Sequence, residues 1–508
     1  MRARDFAKNG TGEALGRFSL LLALLVGIAP AVLRAEVKLP AVFTDHIVLQ
    51  QQMPIAVWGK ADAGEQVSVT LSGKTATATA GADGKWHVEL PALVTDSKPL
   101  EMIVKGKNTL TLKDVLLGEV WLCSGQSNMG RPVEEPAIKA ADYPQIRLFN
   151  SSGAIPRRED LDDSSGWIVC SPTSIKTAGD AAGPSKPGQR RGFSEVAYHF
   201  GLKLHLMLKV PVGLIQANCG GSTAKDWTPP PPEVAEEIVY DQSIEKLTHQ
   251  HGLLYWIRVL PIVPLAVRGV IWYQGEDDGR NPDYAKDFTD LITSWRKQWS
   301  RPDLPFYFAQ IAQTGYAGGM LGVWEGQVKV MNTVPHTGLA VSNDIYDDTT
   351  NGGFKERTDK DTGWPIAGGS NPHPTGKPRV AARLADIALV KTYGHPERAV
   401  FGPIYGSHEI QGDKVLVQFK HAGSGLSTRD GKSPDWFEIS DGSREGQRLK
   451  YVKAQAKIVG TDRVEVWVPE VKSPQCVRFG WNTLARFNLM NKEGLPAVSF
   501  RVEGKPNE

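Results

Sequence analysis

The sequence predicts an α/β domain on a doubly wound parallel sheet, with one β-rich domain before it and another after it. Three observations carry this reading. From Val37 to about Leu112 apolar and polar residues alternate in short runs that break at glycine-containing turns. From about Val115 strand candidates alternate with helical patterns, and after about Ala399 short strands return. Strands that alternate with helices imply parallel pairing through right-handed crossovers. The length of 508 residues agrees, because it exceeds what one hydrophobic core accommodates.

The domains expected are 1–35, a signal peptide; 36–114, a β-sandwich; 115–398, the α/β domain; and 399–508, a C-terminal β-rich domain. The N-terminus carries scattered Arg and Lys and then FSLLLALLVGIAPAVLRA, apolar from Phe18 to about Leu33 and followed by the small residue Ala35. That is the layout of a secretory signal with an extended basic region. The other reading is a membrane anchor, disfavoured because the run is short and interrupted by Gly27 and Pro30. The chain is therefore expected to be exported, periplasmic or extracellular, with a mature start near Glu36.

In the sandwich, IAVWGKA, EQVSVTLSG, KTATATA and KWHVELPAL are strand candidates, with Val67, Val69 and Leu71 on one face and Asp83-Gly84 marking a hairpin. In the α/β domain the candidates are VWLCS, VGLIQAN, GVIWYQ, PFYFAQIA and GLAVSND. The segment YAKDFTDLITSWRKQW is helical by its period, placing Tyr284, Phe288, Leu291, Ile292, Trp295 and Trp299 on one face. The runs KVLVQF, YVKAQAKIVG, RVEVWVPE and VRFGW supply the last domain. Residues 150–192 and 345–376 read as long loops, which at that length are usually functional or mobile.

Composition narrows the partner. Hydrophobic content of 41% and charged content of 22% are ordinary for a globular protein. A net charge of +2 with no long basic run argues against nucleic acid and toward a small or neutral molecule. The four cysteines, Cys123, Cys170, Cys219 and Cys476, allow three disulfide connectivities or none. Their spacing lacks the CxxC form of a zinc site, so no metal is expected.

Ligands of open α/β sheets bind beyond the carboxyl ends of the strands. VWLCS leads into Gly125-Gln126-Ser127-Asn128, VGLIQAN into Cys219-Gly220-Gly221-Ser222, and GVIWYQ into Gly275-Glu276-Asp277-Asp278. Each alone reads equally as turn or cap chemistry. Together they favour a site in which a strand ending at Gly-X-Ser presents the Ser127 hydroxyl. A serine nucleophile needs a base. Among the eleven histidines, His373 in SNPHPTGKPRVAARLADIAL stands between a loop and an amphipathic helix, late in the α/β domain. Its other reading is a residue that opens a helix between prolines. His87, His199 and His205 read as packing or surface residues.

These motifs carry a family resemblance. GQSNM at 125–129, the Gly-Gly of NCGGST, WYQGE at 272–276, His373-Pro374, FNLMNKEGLPAVSF near the C-terminus and KLPAVFTDHIVLQQQMPIAVWGKADAGEQVSV near the start resemble the sialate O-acetylesterase family of SGNH-type hydrolases. The resemblance spans nearly the whole mature chain. It implies an SGNH-hydrolase-like sheet and removal of acetyl groups from sugar hydroxyls without metal or cofactor. It further implies Ser127 as nucleophile and His373 as base, with an oxyanion hole of the Ser127 and Gly221 backbone N–H groups and the Gln274 side-chain amide; the other reading of Gln274 is a hydrogen-bonded residue of the rim. Asn128 would brace the turn, Glu276 would hold the constellation together as an acceptor or cap the loop, and Trp227 and Tyr273 would stack on sugar faces or pack in the core. Two departures stand out. Relatives carry an acidic residue two or three positions before the histidine, where this chain has Asn371 and Ser370, so a backbone carbonyl, Asp344 or Glu276 is left to orient His373. Relatives also follow QGE with a small residue and Asn, where this chain has Asp277 and Asp278. The expected partner is an acetylated carbohydrate, with no nucleic acid and no membrane beyond the signal. Alternatives are an esterase for acetylxylan or another polysaccharide, and a non-catalytic glycan-binding protein on the same scaffold.

Overall fold

The computed structural model describes residues 36–151, 166–178, 192–230, 248–313, 320–345, 357–358, 363–366, 372–396 and 398–503. The expected signal peptide lies outside these residues, as do Ser370 and Asn371.

The N-terminal region contains β1 (Val48–Gln50), β2 (Ile55–Lys60), β3 (Gln66–Leu71), β4 (Lys74–Thr79), β5 (Lys85–Leu90) and β6 (Leu100–Lys105). Period-two alternation does what the sequence implies in β3, where Val67, Val69 and Leu71 are buried and the residues between them face outward. The Asp83-Gly84 hairpin is a correction. Gly84, at φ 75°, turns the chain out of one sheet and into another, so that β5 pairs with β2 while β4 pairs back on β3.

One long strand, β7 (Thr109–Gly125), then runs past residue 114. Its first half pairs antiparallel with β6 and its second half is the middle strand of the central sheet. At the change of partner Asp114 adopts φ 53° and is held by Arg147 Nη1 at 2.6 Å and His46 Nδ1 at 2.6 Å.

The central sheet adds β8 (Tyr143–Asn150), β9 (Ile168–Cys170), β10 (Val212–Asn218), β11 (Gly269–Tyr273), β12 (Phe306–Ala309) and β13 (Thr337–Ala340) in the order β13-β12-β11-β7-β10-β8-β9. All neighbours along this path are parallel except β8 with β9. The chain leaves β7 to build one half, then crosses it to build the other. Ligands of such sheets sit where the winding reverses, here at the carboxyl end of β7.

Beyond β7 lie the single turns α1 (Ser127–Gly130) and α2 (Ser174–Thr177) and the helices α3 (Glu195–Leu208), α4 (Tyr284–Gln298), α5 (Met320–Thr333) and α6 (Lys377–Lys391). Two aromatic anchors show how the helices cover the sheet. Trp121 of β7 packs on Phe200 of α3 and on Tyr393 just after α6. Trp272 of β11 lies in register with Ser124 and so projects from the opposite face, where it meets Phe288 and Trp295 of α4. The buried face of α4 is the one its period implies.

Strands Ile404–Gln411, Lys414–Lys420, Arg463–Trp467 and Gln455–Val459 form an antiparallel sheet near the C-terminus. Apart from Ile404, their buried apolar residues belong to a second hydrophobic cluster around Trp436, Phe437, Phe479 and Phe487, whereas the N-terminal strands share one cluster with the central sheet. All four cysteines are free thiols.

Candidate functional site

Three strand ends are level. Gly125 of β7 is in register with Asn218 of β10 on one side and Tyr273 of β11 on the other. The peptides that follow therefore emerge side by side at one rim. Gly125 is required there. Its φ is 135°, and an added Cβ would lie 2.3 Å from the Tyr273 carbonyl oxygen. Past it the chain closes one helical turn, with the Met129 and Gly130 N–H groups donating to Gln126 O at 3.0 Å. Ser194, the N-cap of α3, holds this turn from behind: its Oγ donates to Met129 O at 2.5 Å and accepts from Ala197 N at 3.0 Å.

Ser127 opens the turn, half-buried, and its Oγ lies 2.9 Å from His373 Nε2. Gly220 stands directly beside it, since a Cβ there would come within 3.4 Å of Ser127 Cβ. The next residue, Gly221, has φ 73°. The N–H groups of Ser127 and Gly221 have no acceptor among the described residues. Burial, then the charges of Arg131 and Lys377, lower the His373 pKa to about 4, so the imidazole rests neutral at physiological pH.

Beneath this pair lies a buried polar network. Asn128 is fully buried; its Nδ2 donates to Glu276 Oε1 and to Pro372 O at 2.9 Å, and its Oδ1 accepts from Lys377 Nζ at 2.5 Å. Lys377 also donates to Pro374 O at 2.9 Å and lies 5.2 Å from the centre of the Tyr273 ring. Burial raises the Glu276 pKa to about 7 and lowers that of Lys377 to about 7. Sequence reasoning missed Lys377. The signal was a lysine at the first position of a helix, against the helix dipole.

Several expectations need correction. Gln274, assigned as an oxyanion donor, is fully buried and commits its amide hydrogens to Ser222 O at 3.0 Å and Asp278 Oδ2 at 2.6 Å. It braces the turn after Gly221. Asp344, a candidate to orient His373, instead pairs with both ends of Arg383 at 2.6 and 2.7 Å. Burial opposes its ionised form, but Arg383 wins and holds the carboxyl below its usual pKa. Trp227 and Tyr273 are fully buried, which leaves no face for a sugar. Asp277 and Asp278 also have structural partners: Asp277 Oδ2 accepts from Gln126 Nε2 at 2.9 Å, and Asp278 Oδ2 from Ala224 N at 2.8 Å. Asn371 lies outside the described residues.

The chain is similar to known proteins over most of its length. Residues 117–363 match the model of a carbohydrate esterase family described as sialic acid-specific acetylesterase. Sialate O-acetylesterase of Rattus norvegicus is 25% identical over 86% of this chain and 88% of its own length, and that of Homo sapiens is 26% identical over 86% of each. The crystal structure of a carbohydrate acetylesterase from Xanthomonas citri is 29% identical, covers 92% of this chain and 99% of its own, and superposes with a TM-score of 0.75. Over most of its length the chain is therefore similar to the sialate O-acetylesterases, which are carboxylic ester hydrolases.

Proposed function

We propose that this protein hydrolyses O-acetyl esters of sugars, sialates first among them, with Ser127 as nucleophile and His373 as general base. The observation that carries this is the 2.9 Å contact between Ser127 Oγ and His373 Nε2 at the carboxyl end of the central strand. The neutral imidazole takes the hydroxyl proton as Oγ attacks the acetyl carbonyl. Charge then collects on the former carbonyl oxygen, and the Ser127 and Gly221 N–H groups are the donors placed to receive it, each worth roughly 3 kcal/mol. The imidazolium returns its proton to the departing sugar oxygen. Water, activated by the same histidine, releases acetate from the acetyl-serine.

The same reading assigns Gln274 to bracing the oxyanion turn and residues 1–35 to export. Their support is the pair of hydrogen bonds that engage the Gln274 amide and the apolar run Phe18 to about Leu33. Among the described residues no helix is long and apolar enough to cross a membrane. A junction near residue 398, where the second hydrophobic cluster takes over, completes the proposal, while β7 joins the N-terminal strands to the central sheet.

The test is acetate release from O-acetylated sialic acid, acetylated xylan and a chromogenic acetyl ester, by wild type and Ser127→Ala. The reading expects turnover of the sialate ester, with a loss of several orders of magnitude in the variant. Equal turnover by the two proteins would overturn it, and a strong preference for acetylated xylan would reassign the sugar.

A further inference from the structure

We propose that Lys377 is a positioning residue for His373, holding the histidine loop against the nucleophile turn. The inference rests on the Ser127–His373 reading above. The segment Pro372-His373-Pro374 has prolines on both sides of the histidine, and proline offers no N–H. At those positions the loop has only carbonyl oxygens to be gripped by, and both are gripped. Pro372 O accepts from Asn128 Nδ2 at 2.9 Å, and Pro374 O accepts from Lys377 Nζ at 2.9 Å. The two donors are themselves joined, because Lys377 Nζ also reaches Asn128 Oδ1 at 2.5 Å. Asn128 follows the nucleophile directly, so one ring of hydrogen bonds fixes the backbone on both sides of the base to the residue beside Ser127.

The far end of the Asn128 amide meets Glu276, which follows β11. The Asn128 amide thus lies between the Glu276 carboxyl and the Lys377 amine, and the rim segments after β7 and β11 are tied to the start of α6. Helix formation does not explain a lysine in this place. It is 1% exposed and sits at the positive end of the helix. A buried amine needs hydrogen-bond partners, and here they are Asn128 and Pro374, on the nucleophile turn and the histidine loop. A side chain that keeps the base in place in this way does part of what a carboxylate behind the imidazole does in many hydrolases.

The charged groups that act on Lys377 are Glu276, Glu195, Arg131 and Glu134, and Lys377 with Arg131 acts in turn on His373. The experiment compares wild type, Lys377→Met, Lys377→Gln and Ser127→Ala on a chromogenic acetyl ester, with kcat and KM measured separately across pH and thermal melting recorded for each. Met removes every donor at similar length; Gln keeps a neutral donor, so a folded protein is available if Met fails to fold. The expected result is a fall in kcat of about 100-fold with KM within about threefold of wild type. The acid limb of kcat/KM also moves up by about one pH unit, toward the ordinary histidine value. A lysine that acted on His373 through its charge alone would move that limb and leave kcat on the plateau unchanged. Wild-type kcat in the folded Lys377 variants, whether or not the limb moves, alongside an inactive Ser127→Ala, would overturn the inference alone. An active Ser127→Ala would overturn the reading it rests on.

Discussion

Substituting Gly125 by alanine probes the junction on which the site depends. At φ 135° an L-residue is strained, and the left-handed region costs roughly 1–2 kcal/mol. The added Cβ would lie 2.3 Å from Tyr273 O, 2.8 Å from its carbonyl carbon and 2.9 Å from its nitrogen. All three are backbone atoms of β11, so no side chain can swing away. Overpacking of this kind costs typically about 1–3 kcal/mol, which brings the sum to about 2–5 kcal/mol. To restore a contact of 3.0 Å the two strand ends must separate by about 0.7 Å. That motion stretches the bond from Gln126 N to Tyr273 O, now 3.0 Å, and carries Ser127 with it. Misplacing a reacting group by about 1 Å can cost 100-fold, so kcat/KM for an acetyl ester should fall about that much, equivalent to about 2.7 kcal/mol in barrier. Urea unfolding reads the first effect and initial rates the second. A Gly125→Ala protein with wild-type stability and wild-type kcat/KM would refute the claim that close approach of β7 and β11 sets the nucleophile.

Two further outcomes follow from the same geometry. With the His373 pKa lowered to about 4, kcat/KM should hold level from neutral pH down to about 5 and halve near pH 4; an acid midpoint at the ordinary value near 6.5 would show that burial and the neighbouring cations do not act on the base. The sign for stability is fixed by the same shift: between about 6.5 and 4 the unfolded chain binds a proton that the folded histidine refuses, so this group's share of stability is lost as pH falls through that window. Gln274→Met leaves Ser222 O without its side-chain donor and takes one donor from the buried Asp278 carboxylate, so urea unfolding should show a loss of about 1–3 kcal/mol; a drop in kcat with unchanged stability would return Gln274 to the oxyanion hole.

The site was legible to the extent that its chemistry is local. A strand that ends in Gly-Gln-Ser-Asn announces a backbone turn that few residues permit, and the structure places that turn level with the ends of β10 and β11. His373 could be singled out because prolines and a following amphipathic helix fix its surroundings. What remained hidden depends on distant partners. Nothing near Gln274 shows that its amide faces Ser222, although Asp278, four residues on, already stood out as a departure. Lys377 shows only its unfavourable place at the start of a helix; its partners Asn128 and Pro374 come from the fold. Strand β8 escaped notice because YPQIRLFN alternates poorly, its buried residues being bunched toward one end. The pairing of β5 with β2 rather than β4 is likewise a matter of sheet assembly, which a turn signal such as Asp83-Gly84 does not encode.

The central claim is that Ser127 is a nucleophile activated by His373, and covalent capture tests it most directly. A serine-directed phosphonate reacts with an activated hydroxyl and passes over ordinary serines. Mass spectrometry of the digested wild-type protein should find the adduct on the peptide containing Ser127, and His373→Ala should slow its formation by orders of magnitude without unfolding the protein. A wild-type protein that stays unlabelled, or that carries the adduct at another serine, would contradict the account.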